Sequence, residues 1–227
     1  ATTETLGKNL PYDNIAELRD FAIKEQIDFT FVGPELPLVK GIVDEFQKHN
    51  LKIFGPTKHA ADLEGSKAFS KKFMLENGVR TAKAEIFDSY VLAKEYVQTQ
   101  KYPLVVKASG LAAGKGVVIC EDIEHAEATL HQFMIDKIFG DAGIKVVIEQ
   151  FLKGFEASVI AFWNGKKAFP CVSAKDYKKI GNGDTGLNTG GMGTVAPSPE
   201  FTAEHLADIE KNILEPTVKG IKDNALN

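Results

Sequence analysis

Between Ile27 and Phe54 a β-rich run of strand length, Ile27-Asp28-Phe29-Thr30-Phe31-Val32, gives way to a helical pattern and then to a second short apolar run, Leu51 to Phe54. The helical pattern is Val39, Ile42, Val43 and Phe46. Strand, crossover helix and strand at this spacing imply a parallel βαβ unit. A further helical pattern, Ile15, Leu18, Phe21 and Ala22, precedes it. Sheets of this kind place ligands beyond the carboxyl ends of their strands. Gly33-Pro34-Glu35 sits at such an end, although Gly-Pro also reads as a plain turn. Gly55-Pro56-Thr57 stops the second strand and marks a boundary.

Beyond it the alternation changes character. Ser66 is a good N-cap for a helix carrying Ala68, Phe69, Phe73, Met74 and Leu75, which Asn77-Gly78 ends. A strand near 84–87, a helix from Tyr90 to about Thr99, and the strand Leu104-Val105-Val106-Lys107 follow. After a glycine loop come the strand Val117-Val118-Ile119-Cys120, a helix from Asp122 with Ile123, Ala126, Leu130, Phe133 and Met134 on one face, and the strand Lys145-Val146-Val147-Ile148-Glu149. The apolar segments 157–163 and 168–173 flank Asn164-Gly165, a strong hairpin signal. The fold class expected is α/β in the first part and α+β in the second.

Charge narrows the function. The chain has 227 residues, with 27 Lys plus Arg against 31 Asp plus Glu, a net charge of −4. A constitutive nucleic-acid surface would carry a basic domain instead. No apolar stretch approaches the roughly 18–20 residues of a membrane span, and the first residues, ATTETLGKNL, lack the apolar run of a secretory signal. They also lack an initiator Met, so the chain is expected to be processed or part of something longer. Cys120 and Cys171 sit in apolar, strand-like runs and are expected as buried thiols. His125 and His131 lie six apart and so off a common helix face, and no zinc site is expected.

Three segments carry chemistry. In Lys107-Ala108-Ser109-Gly110-Leu111-Ala112-Ala113-Gly114-Lys115-Gly116 a strand ends in a lysine and opens a loop of small residues with a second lysine. Glycines let backbone N–H groups approach phosphate oxygens, and lysines supply charge. It is not a Walker A loop, because only three residues separate Gly110 from Gly114, Gly116 follows Lys115, and a strand rather than a helix comes next. A mobile phosphate-covering hairpin is expected, with residues 107–117 less ordered than 27–32, although the segment also reads as an exposed turn with solvated lysines. Glu149-Gln150-Phe151-Leu152-Lys153-Gly154-Phe155-Glu156 leaves an apolar strand with an acid, an aromatic, an aliphatic and a second acid. Such a segment suits a purine edge and ribose hydroxyls, or is simply a strand end with solvated acids.

The third segment is Gly181-Asn182-Gly183-Asp184-Thr185-Gly186-Leu187-Asn188-Thr189-Gly190-Gly191-Met192-Gly193. It formally contains G-x-G-x-x-G, but Ala174-Lys175-Asp176-Tyr177-Lys178-Lys179 before it is not a buried strand and no helix follows, so a dinucleotide fingerprint is rejected. A glycine linker or a substrate loop remains. The polar groups Asp176, Lys178, Asp184, Asn188 and Thr189 favour the loop.

Together these segments resemble the phosphoribosylamine–glycine ligase family, ATP-grasp enzymes of purine biosynthesis, almost continuously from about Ile27 to Lys219. The residues carrying the resemblance include Val32-Gly33-Pro34-Glu35, Pro37-Leu38-Val39-Lys40-Gly41, Ile53-Phe54-Gly55-Pro56, Leu63-Glu64-Gly65-Ser66-Lys67-Ala68-Phe69, the loop 110–116, Phe139-Gly140-Asp141-Ala142-Gly143, Asp184-Thr185-Gly186 and Asn188-Thr189-Gly190-Gly191-Met192-Gly193. The resemblance implies a partial Rossmann-like N-terminal domain over residues 1–60 and an ATP-grasp domain over 61–227, with a lid subdomain at about 82–152.

It also implies roles. Lys67 and Lys107 would contact ATP phosphates, with Gly110, Gly114, Lys115 and Gly116 in the lid. Glu149, Gln150, Phe151 and Leu152 would hold adenine, and Glu156 the ribose. Gly33, Pro34, Glu35, Asp176, Lys178, Asp184, Asn188, Thr189, Gly191, Met192 and Gly193 would shape the sites for glycine and 5-phosphoribosylamine. The cofactor implied is ATP with Mg2+ or Mn2+, in a cytoplasmic monomer that binds neither nucleic acid nor membrane. The reaction implied is ATP-dependent ligation through a glycyl phosphate. Another ATP-grasp carboxylate–amine ligase, or a non-catalytic nucleotide-binding fragment, is the alternative.

The chain departs from the family pattern at Leu187, where Pro is usual, at Tyr177, where His is common, and at Lys179, where Arg is common. The family's glycine-rich phosphate loop would precede Ala1, and its metal-ligating segment would follow Asn227. The expectation is therefore an internal piece that binds nucleotide without turnover and contains no metal ligands.

Overall fold

The structure is a computed structural model that describes residues 5–112, 114–183 and 185–226, with only the backbone of Leu187 and Asn188. The described chain forms two compact units, residues 5–62 and 63–226.

The first unit begins with α1 (Ile15–Lys24), capped by Asn14, whose side chain accepts the Glu17 amide at 2.8 Å. β1 (Thr30–Phe31), α2 (Glu35–Val39), α3 (Ile42–Lys48) and β2 (Ile53–Phe54) follow. β1 and β2 pair in parallel, Thr30 opposite Ile53 and Phe31 opposite Phe54. The strands are shorter than their apolar runs, because the ladder pairs only those two residues of each. The expected single crossover helix is two helices, since Gly41 adopts a left-handed φ of 90° and redirects the chain between them. Ala22, Ile42, Val43 and Phe46 form the core, with Ile15, Leu18, Val32, Leu38, Leu51 and Ile53 packed around them.

An eight-residue helix not read from the sequence, α4 (Lys58–Gly65), comes next. The second unit then runs through α5 (Lys67–Glu76), β3 (Ala84–Phe87), α6 (Tyr90–Val97), β4 (Leu104–Ala108), β5 (Val117–Cys120), α7 (Ile123–Met134) and β6 (Val146–Gln150). The four strands form one antiparallel sheet in the order β3-β6-β4-β5. Its register places Lys107 opposite Val147 and Val105 opposite Glu149.

Side chains alternate across a strand, so this register gives the sheet two unlike faces. Leu104, Val106, Ala108, Cys120, Val146 and Ile148 face α6 and α7, whose Ala93, Val97, Ala126, Leu130, Phe133 and Met134 complete the core. Every one of these residues is buried. The opposite face carries Val105, Lys107, Val117, Ile119, Val147 and Glu149, and α5 packs against β6 there. One sheet thus has an oily face sealed by helices and a second face that holds an ion pair.

The rest of the unit is built from hairpins and helices. β7 (Ala161–Trp163) and β8 (Ala168–Pro170) form the expected hairpin, with Asn164 Oδ1 accepting the amides of Lys166 and Lys167, each at 3.0 Å. β9 (Lys175–Gly181) pairs with β10 (Thr185–Val195), and α8 (Ala203–Ile209) passes through a π turn into α9 (Glu215–Asp223). The segment read as a glycine loop is therefore largely strand. A ladder between exposed strands asks only for backbone pairing, so it leaves no apolar alternation to read.

Cys120 is buried beside Thr129, and burial raises its thiol pKa above the usual value. Cys171 is only half-buried, contrary to expectation, because it follows the short two-stranded β7–β8 sheet rather than lying within a packed one.

Candidate functional site

The polar face of the four-stranded sheet centres on Glu149. Its carboxylate is paired on both oxygens, to Lys107 Nζ at 2.7 Å and to Lys71 Nζ at 3.0 Å. Lys71 was not singled out by sequence, whereas Glu149 and Lys107 were. Its partner lies far along the chain, so no local pattern could reveal it. Lys107 retains 27% side-chain exposure, Glu149 10% and Lys71 3%. Lys107 is thus the cation of the three that faces open space. Among the described contacts the Glu149 carboxylate, expected to meet adenine, is engaged by two lysines.

The N-terminus of α5 lies at the end of β4. Ser109 carbonyl accepts the Lys67 amide at 2.7 Å, Ser109 Oγ the Ala68 amide at 3.1 Å, Ser66 Oγ the Phe69 amide at 3.2 Å, and Ser66 carbonyl the Ser70 amide at 2.9 Å. The Lys67, Ala68 and Phe69 amides, three of the four that a helix start leaves without intrahelical partners, are therefore satisfied, and the Ser70 amide makes the first intrahelical bond. Those three amides are taken, so a phosphate group here would rely on side chains in their place. Lys67 supplies one. Its Nζ donates to the Gly110 carbonyl at 3.2 Å, and burial lowers its pKa, with the Glu64 carboxylate opposing that shift and the Lys107 charge adding to it. Lys67 thus feels a carboxylate and a second lysine at once, and an anion added beside the lysines would favour their charged forms.

The loop after β4 is fastened at both ends. Ser109 and Gly110 amides donate to the Lys145 and Ala142 carbonyls, at 2.9 and 3.0 Å, and the Ala108 amide donates to the Gly116 carbonyl at 2.8 Å. Gly110 passes Ala142 so closely that a Cβ would lie 2.7 Å from the Ala142 Cβ. Between these anchors Gly114, with a φ of 76°, and Lys115 are exposed, and the Lys115 amide donates to the Ala112 carbonyl at 2.9 Å. The 107–117 segment is thus held at Ser109, Gly110 and Gly116.

Beyond β6 the chain presents Gln150, Phe151 and Leu152. The Gln150 amide donates to the Lys83 carbonyl at 2.9 Å, Phe151 is half-buried, and Leu152 is exposed. Gln150 and Phe151 line a cavity of about 740 Å3 with Tyr96, Tyr102, Leu104 and Lys153, which Lys67, Lys107 and the glycine loop do not line. A smaller cavity of about 330 Å3 brings together Glu156, Asp176 and Lys178 with Phe155, Ala157 and Ser158.

Thr189 and Gly191 join the same strand pair. Thr189 Oγ1 donates to the Lys178 carbonyl at 2.9 Å and accepts the Gly191 amide at 3.1 Å, while Asp176 lies close against Gly191. Register shifts on either side of Asn188 let 189–192 bulge from the ladder. Met192 is exposed and Gly193 pairs with Tyr177. Asp184 lies outside the described residues, as does Ala113 of the glycine loop.

Gly33, Pro34 and Glu35 belong to the first unit, the first two between β1 and α2 and Glu35 opening α2, and all three are exposed. Among the described residues no three His, Cys, Asp or Glu side chains gather so as to hold a metal ion, and no helix is long and apolar enough to cross a membrane.

Known proteins sharpen this picture. Residues 65–227 match the model of the phosphoribosylglycinamide synthetase ATP-grasp (A) domain, and residues 1–64 that of the N domain of the same enzyme. The phosphoribosylamine–glycine ligase of Clostridium acetobutylicum is 50% identical over 99% of this chain and 54% of its own length. That of Escherichia coli K12 is 48% identical over 92% of this chain and 48% of its own. The solved phosphoribosylamine–glycine ligase of Thermotoga maritima superposes with a TM-score of 0.79 at 32% identity, covering 99% of this chain and 54% of that one. Biotin carboxylase from Campylobacter jejuni, solved as a β,γ-ATP complex, shares the fold with a TM-score of 0.70 at 18% identity over 94% of this chain and 47% of that one. The chain spans about half the length of the curated relatives it matches. With both of its compact units covered by matching domains, the chain belongs to the phosphoribosylglycinamide synthetase family, spanning its N domain and ATP-grasp domain.

Proposed function

We propose that the chain is the nucleotide-binding part of an ATP-dependent ligase that joins glycine to 5-phosphoribosylamine. The observation that carries this reading is the placement of two lysines at the base of the glycine loop, Lys67 donating to the Gly110 carbonyl and Lys107 pairing with the Glu149 carboxylate. Two cations beside a loop of small residues match a polyphosphate.

In the reaction proposed, a glycine carboxylate oxygen attacks the γ-phosphorus of ATP and ADP leaves, giving glycyl phosphate. The amine of phosphoribosylamine then attacks the glycyl carbonyl carbon. The C–O bond to phosphate breaks, inorganic phosphate departs, and the amine loses a proton as the amide forms. The chain's contribution is positioning and charge. Lys67 and Lys107 offset the repulsion between two approaching anions, and the loop excludes water. Such chemistry needs no side-chain nucleophile.

In this reading Gly114, Lys115 and Gly116 cover the phosphates, Phe151 and Leu152 flank the base, and Glu156 takes ribose hydroxyls. The strand pair bearing Asp176, Lys178, Thr189, Gly191, Met192 and Gly193 serves glycine and phosphoribosylamine, with Asp184, Asn188 and the segment Gly33-Pro34-Glu35 assigned by resemblance. We assign residues 1–60 to a Rossmann-like domain and 61–227 to the ATP-grasp domain, with 82–152 as its lid, in a cytoplasmic monomer. The cofactor is ATP with Mg2+ or Mn2+. The described residues do not assemble a cage of three His, Cys, Asp or Glu side chains for that ion.

Two measurements test the proposal. Calorimetric titration of the chain with ATP should give saturable binding. A coupled ADP assay on the intact protein should show turnover that needs both glycine and phosphoribosylamine. Absence of ATP binding, or ADP formation indifferent to glycine, would refute it.

A further inference from the structure

Lys71 stands in the second turn of α5, and only 3% of its side chain is exposed. An ammonium has three N–H donors, and three acceptors surround this one. They are Thr81 Oγ1 at 2.6 Å, the Ala82 carbonyl at 3.1 Å and Glu149 Oε1 at 3.0 Å. Two of them belong to the chain between α5 and β3, so the ammonium is fixed independently of Glu149. Lys107 differs: it meets the other Glu149 oxygen at 2.7 Å and keeps 27% of its side chain exposed. One carboxylate therefore joins a boxed-in cation to a partly exposed one.

The difference matters when an anion arrives. A buried carboxylate deprived of its only counter-ion is strongly disfavoured. If Lys107 were the sole partner of Glu149, it could not turn toward a phosphate without leaving that charge bare. With Lys71 in place, Glu149 stays paired whichever way Lys107 points, and the three groups keep one net positive charge for the ligand. We infer that Lys71 is a positioning residue that, by acting as the permanent counter-ion of Glu149, makes Lys107 transferable to a phosphate of the bound nucleotide. The inference rests on the nucleotide reading above and assigns Lys71 no contact with the nucleotide.

The test uses the intact protein as wild type, Lys71→Met, Lys71→Arg, Glu149→Gln and the Lys71→Met/Glu149→Gln double variant. Each is titrated calorimetrically with ATP and with adenosine, and the rate of Lys107 acetylation by acetic anhydride is followed by mass spectrometry. Lys71→Met should weaken ATP binding about tenfold, with adenosine changed by less than about twofold, because only the phosphate contact is withheld. Lys107 acetylation should slow about threefold as its ammonium is held on Glu149. Lys71→Arg should keep the wild-type ratio of ATP to adenosine affinity. In the Glu149→Gln background, Lys71→Met should leave that ratio unchanged.

Equal losses for ATP and adenosine in Lys71→Met, or unaltered Lys107 acetylation, would overturn the inference. If Lys71→Met alone does not fold, the comparison within the Glu149→Gln background decides, and a further fall in the ratio there would mean that Lys71 acts directly. Wild-type protein that binds no ATP refutes the proposed function instead. The acetylation rates then still decide whether Lys71 governs the hold of Glu149 on Lys107.

Discussion

The hydroxyl of Ser109, just beyond β4, accepts the backbone amide of Ala68, the second residue of α5, at 3.1 Å. With the Ser109 carbonyl taking the Lys67 amide, one serine splices the start of a helix to the end of a strand. The two phosphate-binding candidates, Lys67 and Lys107, are thereby mounted on a single joint. Ser109→Ala leaves the buried Ala68 amide without its partner, which costs about 1–3 kcal/mol. Urea unfolding should show that loss, and a change below about 0.5 kcal/mol would mean water replaces the hydroxyl.

Lys107→Ala should weaken ATP binding by more than about 1.5 kcal/mol, as loss of a charge-assisted contact does. Glu149 keeps its bond to Lys71 in that variant, so the thermal midpoint should hardly move. Calorimetry and a melting curve on the same sample separate the two effects. Equal ATP affinity in mutant and wild type would remove Lys107 from the site.

Glycine-to-alanine changes should differ within one loop. At Gly110 a methyl would lie 2.7 Å from Ala142 Cβ and 2.8 Å from Ala142 Cα, so main chain must shift. Overpacking of that kind costs about 1–3 kcal/mol. At Gly114 nothing lies within 4 Å, and only the left-handed φ of 76° resists a side chain, worth about 1–2 kcal/mol in a loop free to adjust. The Gly110 variant should lose stability and slacken the loop anchor. The Gly114 variant should lose chiefly nucleotide affinity, as read from melting with and without ATP.

Tyr102 titrates far above an ordinary phenol. Burial, then the nearby Cys120, Asp122 and Glu127, push its pKa up to about 12, and its hydroxyl donates to the Val97 carbonyl at 2.9 Å. The folded value exceeds the unfolded value of 10.0. The folded state therefore binds this proton more tightly, and the associated stability is intact below pH 10 and lost as pH rises through 12. Absorbance at the tyrosinate band should show a phenol that titrates near pH 12, missing from Tyr102→Phe. The variant should also lose part of the alkaline fall in stability.

Amide exchange should map the moving part of the loop. Ser109 and Gly110 amides donate to fixed carbonyls, so they should exchange slowly. Leu111 and Gly114 should exchange orders of magnitude faster without nucleotide and slow when ATP is added. Uniform protection from 109 to 116 in the free protein would argue against a lid.

The sheet of the second unit was legible because β4, β5 and β6 are runs of β-branched residues between clear stops, and Ser66 and Asn164-Gly165 announced a cap and a hairpin. β9 and β10 were not, since glycine and polar residues pair through backbone alone. Gly41 split a helix whose apolar spacing continues unbroken across it. In the site, Lys107 and Glu149 stood out as charges at strand ends. Lys71 did not, because a lysine on a helix looks solvated until the strand that covers it is known.

The two unlike faces of the sheet also bear on how the chain finds its pairing. A slip of β4 by one residue against its neighbours would turn Lys107 toward Leu130 and Phe133 and bring Val106 out beside Glu149. That error strands a cation in oil and robs a carboxylate of its partner at the same stroke. The same two charges therefore penalise a wrong register, so the pairing of the ladder is specified by its polar face as well as its apolar one.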